Sequence, residues 1–385
     1  MLRFLDAGES HGRSIVAILE GLPFGIPVNS EIIDKELYRR RMGYGRSARM
    51  DIESDQVRII SGVRMGVTLG SPIALEVRNA ESEKWEKVMS VEAKQNIPVL
   101  TQLRPSHADL AGAIKYGTRD VRTILERASA RETVGRVSAG AIAKSFLRIF
   151  DIEIYSHVLS VNKVQARIDY ESLNIEFLKK ADQDPMRCLD PEASQQMIRE
   201  IDEAREKGDS LGGVFEVIAF GIPIGLGSHV QWDRRLDGRI AASIMSIQAI
   251  KGVEIGCGFT LSGMRGSEAA DQIYHEEGKG FRHSSNRAGG IEGGITNGEP
   301  VVARAAMKPI PTLTSPLDSI DLCNKKRIKA AVERADVCAV PAAAVIAESA
   351  LAFVLADALL EKLGGDNIEE MKERYQTLKR FQANF

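Results

Sequence analysis

The strongest constraint on how this chain folds comes from two stretches crowded with small apolar residues, 132–150 and 337–360. The first sets Val134, Val137, Ala141 and Leu147 along one helical stripe, the period of a helix with one apolar face. Ala139, Gly140, Ala141 and Ala143 keep its surface low enough for a second helix to approach closely. The second stretch is the most apolar in the chain; Pro341 suits its first helical turn and Gly364-Gly365 its end. Glu348 and Asp357 interrupt it, so it lacks the ~18 consecutive apolar residues of a membrane span. Such helices need other elements of the same core to cover them.

Strand-like segments supply that cover, at residues 57–63, 73–77, 152–159, 213–220, 253–261 and 300–307. Several are bounded by glycine or proline. Gly66, Gly70 and Pro72 lie between the first two and predict an antiparallel pair. Further helices are expected over 191–206, entered at Pro191 and stopped by Gly208, and over 237–250, where Ile240, Ile244 and Ile247 share a face. Residues 368–381 form a charged amphipathic tail. Ser129 is placed to cap the first alanine-rich helix, with Glu132 completing a capping box. Neither a linker nor a fixed-period repeat divides the chain, and a regular βαβ alternation is missing. The expectation is an α+β fold with tightly packed helices covered by antiparallel sheets.

The 385 residues carry a net charge of −2, so the molecule as a whole offers no field to attract nucleic acid or anionic lipid. An anion site must then be a local concentration of cations, which favours a pocket over a surface. The four cysteines (Cys188, Cys257, Cys323, Cys338) lack CxxC spacing, so neither a zinc site nor a disulfide framework is expected. The opening residues Met1 to Asp6 are too short an apolar run for a secretory signal, and the composition points to a cytoplasmic protein with reduced thiols. Gly225-Leu226-Gly227 and Gly256-Cys257-Gly258 both lack the third glycine of a dinucleotide loop, and Ile273 stands where a phosphate loop ending at Gly278-Lys279 would need glycine.

Two histidines in short polar turns carry the chemistry: His11 in Gly8-Glu9-Ser10-His11-Gly12 and His107 in Arg104-Pro105-Ser106-His107-Ala108-Asp109. Histidine exchanges protons near neutrality, and arginine is a permanent cation shaped for carboxylates and phosphates. Arg39, Arg40, Arg41, Arg46 and Arg49 lie between the histidines; Arg122, Arg127, Arg131 and Arg136 follow the second. A solvated basic loop or an RNA contact is the alternative for 39–49, but Tyr44 is its only aromatic for base stacking. Arg127 and Arg131 flank the start of an alanine-rich helix, where free N–H groups also favour anions. The glycine-rich run 284–298 reads either as a surface hairpin or as a wall against a flat ligand. It leads into Met307-Lys308-Pro309-Ile310-Pro311-Thr312, whose lysine and hydroxyl suit a phosphate, and 333–341 places Arg334 and Asp336 just before the long helix. Together these features point to acid–base chemistry on a small, heavily charged anion.

In order, the segments GESHG, RRRMGYGRSARM, RPSHADL, ERASARET, GGIEGGITNG, MKPIPT and RADVCAVP resemble the chorismate synthase family over nearly the whole chain. Ser106, commonly glycine in that family, and the less common Ser47-Ala48 depart from its pattern. The resemblance implies one domain over 1–385, built as a β-α-β sandwich with a central layer of helices between antiparallel sheets and assembled as a homotetramer. It implies a reduced-FMN-dependent anti-1,4-elimination of phosphate from 5-enolpyruvylshikimate 3-phosphate, giving chorismate for aromatic amino-acid biosynthesis, without nucleic acid, membrane or metal. By the same resemblance His11 protonates the departing phosphate and His107 protonates or stabilises the anionic flavin. Asp336 acts with the flavin in removing the C6 hydrogen, and Ser10 and Ser129 relay or orient protons. The flavin contacts carried over are Arg127, Ala128, Ser129, Gln248, Ala249, Gly293, Lys308, Pro309, Ile310, Pro311, Thr312 and Arg334. Arg40, Arg46, Arg49, Arg104 and Arg131 face the substrate's anionic groups, and NADPH, where it serves to reduce the flavin, is placed at Arg40 and Arg46.

Overall fold

Strands form where apolar residues alternate, and the first seventy-eight residues make a four-stranded sheet on that principle. The computed structural model describes residues 1–47, 54–92, 97–277 and 280–385. Strands β1 (Arg3–Ala7), β2 (Ser14–Glu20), β3 (Val57–Ser61) and β4 (Ile73–Arg78) lie in the order β1-β2-β4-β3, all antiparallel. Along β2, Ile15, Ala17 and Leu19 are buried while Val16 and Ile18 face outward. The expected antiparallel pairing across Gly66, Gly70 and Pro72 is the β3–β4 pair. A second antiparallel sheet contains β5 (Glu153–Val161), β6 (Val164–Gln165), β7 (Gly213–Phe220), β8 (Ile250–Ile255) and β9 (Val301–Met307), in the order β8-β9-β7-β5-β6.

The helices used below are α1 (Ser30–Arg41), α2 (Asp109–Tyr116), α3 (Arg122–Ala128), α4 (Thr133–Arg148), α5 (Pro191–Lys207), α6 (Leu236–Met245), α7 (Val340–Leu363) and α8 (Ile368–Ala383). The chain is thus α+β. Helix α4 packs on β2 and β4, α7 packs on β5 and β7, and the two helices pack on each other. Residues 137–147 of α4 are all buried, as an element covered on every side must be. The small residues do what their size predicts: a Cβ added at Gly140 would fall 2.2 Å from the Ser349 Cβ and 2.6 Å from its Cα.

Among the described residues, α7 alone is long and apolar enough to cross a membrane, and it is core: 89% of its most apolar window is buried. Glu348, the charge in its middle, is fully buried and answered there. It accepts from Arg39 at 2.7 Å, Lys144 at 2.5 Å and Ser156 at 2.6 Å, tying α7 to α1, α4 and β5. The Arg39, Lys144 and Arg187 cations outweigh the cost of burial and hold its carboxyl far below the ordinary range.

Three local expectations are corrected. The helix expected over 237–250 ends at Met245, because the chain turns through Ala249 at φ +66° to begin β8 at Ile250. The strand expected over 253–261 starts earlier and stops at Ile255, where Gly256 (φ +59°) and Gly258 (φ +45°) turn the chain into a short 3-10 segment. Ser129 caps a single 3-10 turn (Ala130–Glu132), its hydroxyl accepting from the Arg131 N–H at 3.3 Å. No capping box forms, since the Glu132 carboxylate is drawn to Arg136 at 3.0 Å and Gln248 at 2.5 Å.

Candidate functional site

The first turns of α7 provide the floor of a cavity of about 560 Å³, through Ala339, Ala342, Ala343 and Ile346. Its size is within the ~300–1,000 Å³ usual for ligand and cofactor sites. Alanines leave the floor flat, while walls come from the His11 and His107 turns, residues 40–47, the α3–α4 junction, 247–249, 307–312 and 333–336. Segments scattered through the sequence therefore meet because both sheets deliver their loops to one end of the central helices.

His11 is held through Nδ1, which lies 2.9 Å and 3.1 Å from the two Glu126 oxygens; its backbone N–H donates to the same carboxylate at 2.8 Å. Trp85 stacks on the imidazole with centroids 4.1 Å apart. Burial acts to raise the Glu126 carboxyl, but hydrogen bonds and charge from His11 and a bond from Arg122 bring it below its ordinary value. His107 has a matching arrangement, with Nδ1 2.5 Å from Asp109 and the Arg104 guanidinium 3.1 Å away. Asp109 is fully buried and also accepts the Arg104 Nε–H at 2.9 Å. Burial opposes its ionisation, yet the His107 and Arg104 bonds hold its carboxyl at about 2. In both turns a buried carboxylate takes Nδ1, which leaves the His11 Nε2 placed to exchange a proton with a ligand, whereas the His107 Nε2 also lies 3.4 Å from the Arg104 guanidinium.

The wall carries the cations Arg40, Arg46, Arg104, Arg131, Lys308 and Arg334 against the carboxylates Glu333 and Asp336. Arg40 donates to Thr133 at 2.9 Å and Asp55 at 3.3 Å, and Arg131 to Asn79 at 2.7 Å and Asp55 at 2.5 Å. The buried Asp55 carboxylate thus contacts both guanidiniums. Burial, opposed by Asp55 and reinforced by Arg131 and Arg46, pushes Arg40 down to about 10. An anionic ligand relieves that crowding. Asp336 accepts the Ser47 N–H at 2.7 Å and pairs with Arg46 at 3.2 Å. The Lys308 ammonium donates to the Ser106 carbonyl at 2.6 Å, and Thr312 accepts from Arg104 at 3.3 Å. Burial, and Lys251 beside it, hold Lys308 below its ordinary value.

Of the residues expected at the site, Ser10, His11, Arg40, Arg46, Arg104, His107, Ala128, Ser129, Arg131, Gln248, Ala249, Lys308, Ile310, Pro311, Thr312, Arg334 and Asp336 line this cavity. Arg127 does not: it turns away to Asp6 at 2.6 Å and the Gly8 carbonyl at 3.1 Å. Pro309 lies between lining neighbours without lining the cavity itself. Gly293 sits in the turn of a small hairpin (Ile291–Glu292 with Ile295–Thr296), and none of 284–298 lines this cavity. Arg49 lies outside the described residues. Glu126, Asp109 and Trp85 were not singled out by the sequence. Asp109, two residues after His107, had a local signal; Glu126 and Trp85, far from His11 in sequence, had none.

A family model described as chorismate synthase matches residues 2–360. The chain belongs to the chorismate synthase family. The chorismate synthase of Desulforudis audaxviator is 55% identical, covering 100% of this chain and 99% of the relative. That of Aquifex aeolicus is 54% identical, covering 97% and 96%. A crystal structure titled as that of a chorismate synthase matches with a TM-score of 0.82 at 47% identity, over 100% of this chain and 99% of the other. Membership in the chorismate synthase family makes the chain a carbon–oxygen lyase of aromatic amino-acid biosynthesis.

Proposed function

We propose that the cavity binds 5-enolpyruvylshikimate 3-phosphate beside reduced FMN and eliminates phosphate to give chorismate. The observation that carries this assignment is one cavity lined by both histidines, five arginines, Lys308 and Asp336. Gln248 supports a flavin there. Its Nε2 is taken by Glu132 at 2.5 Å, while its Oε1 is buried without a hydrogen-bond partner, an acceptor suited to the N–H edge of a flavin ring. Ala128, Ser129, Gln248, Ala249, residues 308–312 and Arg334 would hold FMN, with Arg127 and Gly293 kept as more distant contacts of the same reading. When bound, the reduced flavin supplies transient electron density that assists C–O cleavage.

The chain's own residues do the rest. Arg40, Arg46, Arg104 and Arg131, with Arg49, fix the substrate's carboxylates and phosphate and neutralise charge gathering on the leaving group. His11 delivers a proton from Nε2 to the departing phosphate, and Ser10 and Ser129 orient that transfer. His107, held by Asp109, places its Nε2 proton against the flavin. Asp336, fixed by Arg46 and the Ser47 N–H, takes part in removing the C6 hydrogen. Arg40 and Arg46 share a cavity with the histidines, so NADPH reducing the flavin would occupy substrate's place.

The reading includes one domain in which two antiparallel sheets sandwich α4 and α7, a homotetramer, and a cytoplasmic protein whose partner is a small molecule. The outer face of the first sheet exposes Leu5 (70%), Ile18 (42%) and Ile60 (52%), apolar surface of the kind an oligomer covers. The test is anaerobic phosphate release from the substrate with reduced FMN in catalytic amount. Many turnovers per flavin support the lyase, whereas stoichiometric consumption of reductant would mean a flavin oxidoreductase.

A further inference from the structure

Glu126 lines no part of the cavity, yet it meets His11 twice, at Nδ1 and at the backbone N–H. Its side chain is 2% exposed and that of His11 10%, so water competes little for this contact. Arg122 completes the arrangement from one turn earlier on α3. It donates to Glu126 at 3.1 Å and lies 4.9 Å from the centroid of Trp85, the ring stacked on His11. The imidazole is thus gripped at one edge and one face.

We propose that Glu126 is a positioning residue for His11, fixing its tautomer and turning Nε2 to the cavity, with Arg122 setting how strongly its charge acts. The proposal rests on His11 as the proton donor. A carboxylate against Nδ1 favours the imidazolium that a donor needs and is restored after each turnover. Arg122 works in the opposite sense, spending part of that negative charge on its own guanidinium. The other charged groups on the surrounding elements include Glu9 and Arg13 in the His11 loop, Glu81, Glu83, Lys84 and Glu86 around Trp85, Arg127 beside Glu126, and Glu333, which pairs with Arg122 at 4.0 Å. Arg13 and Glu86 pair with each other at 3.8 Å on the surface, and Arg127 pairs with Asp6.

Trp85 makes the clamp measurable without turnover. The chain has two tryptophans, and Trp232 is 78% exposed, so Trp232→Phe leaves Trp85 as the reporter. A protonated imidazole stacked on an indole quenches its emission, so fluorescence should fall with pH through the His11 titration and lose that step in His11→Ala. In this background Glu126→Gln should move the midpoint of that fluorescence change to lower pH. It should lower kcat at least about tenfold near neutrality with KM within about threefold, part of kcat returning at lower pH. Glu126→Asp should restore the midpoint. Arg122→Met should move it upward, a direction that a purely structural loss does not produce, and this holds the proposal to account should Glu126→Gln not fold. Unchanged midpoints in both Glu126→Gln and Arg122→Met, or a parental pH–rate profile in Glu126→Gln, would overturn it. A shifted midpoint with normal turnover in His11→Ala would uphold the clamp and remove His11 from the chemistry.

Discussion

Replacing Gly140 by alanine sets two opposing effects against each other at the contact between α4 and α7. In an open helix the change gains about 1 kcal/mol, because glycine is the poorer helix former. At this position the new methyl carbon would lie 2.2 Å from the Ser349 Cβ, 2.6 Å from its Cα and 2.6 Å from its Oγ. A Cα cannot rotate out of the way, so the helices must separate, and overpacking of that kind costs about 1–3 kcal/mol or more. Separation would also strain the Lys144–Glu348 contact at 2.5 Å, which bridges the same two helices. We expect a net loss of about 1–2 kcal/mol, a fall in Tm of roughly 2 °C for 385 residues. Activity should fall too, since Ala342, Ala343 and Ile346 of the displaced helix form the cavity floor. Gly238 in α6, where an added Cβ meets nothing within 4 Å, is the control and should gain stability as alanine. Calorimetry on both variants decides the matter: a Tm for Gly140→Ala equal to or above the parent would refute the packing argument.

Ser106 adopts φ +62°, a left-handed conformation that costs an L-residue about 1–2 kcal/mol, so Ser106→Gly should raise stability by up to about 1 kcal/mol. Turnover should be kept because Lys308 uses the Ser106 carbonyl; a clear drop in kcat would show that the hydroxyl acts on the ligand. Asp109, held at about 2, stabilises the fold above the ordinary aspartate range and loses that contribution as pH falls toward 2. Acid unfolding followed by circular dichroism should show about 2 kcal/mol of pH-dependent stability in that window, absent from Asp109→Asn; equal slopes would exclude it. Burial pushes Cys188 up to about 11 and Cys338 up to about 12, so a thiol reagent should modify exposed Cys323 first and those two only on unfolding. Fast loss of all four thiols from the native protein would contradict that burial. His11→Ala and His107→Ala should each lower kcat at least about tenfold with the fold intact, and a near-normal rate in either would remove that residue from the mechanism.

Much of the architecture was legible in the chain because its causes are local. Alternating Ile15, Ala17 and Leu19 specify a half-covered strand, Pro191 and Gly208 bound α5, and the small residues of α4 announce a close neighbour. The same residues left the end of α6 ambiguous, since Ile247 continues the helical stripe until the turn at Ala249 breaks it. Residue type likewise revealed the cations and imidazoles, whose charge and proton affinity belong to the side chain wherever it stands.

Which of those groups share a cavity was decided only by tertiary structure. Arg127 and Arg131 lie four residues apart, on either side of the break at Ser129, yet Asp6 draws the first away while Asp55 and Asn79 hold the second in the wall. Glu348 reads in the sequence as a charge breaking an apolar helix, and becomes an anchor because Arg39 and Lys144 arrive from two other helices. Glu126 acquires its bearing on His11 across 115 residues of chain. Helix and strand periods act over a few residues and can be read in order, whereas the partner of a buried charge is chosen by how the layers close.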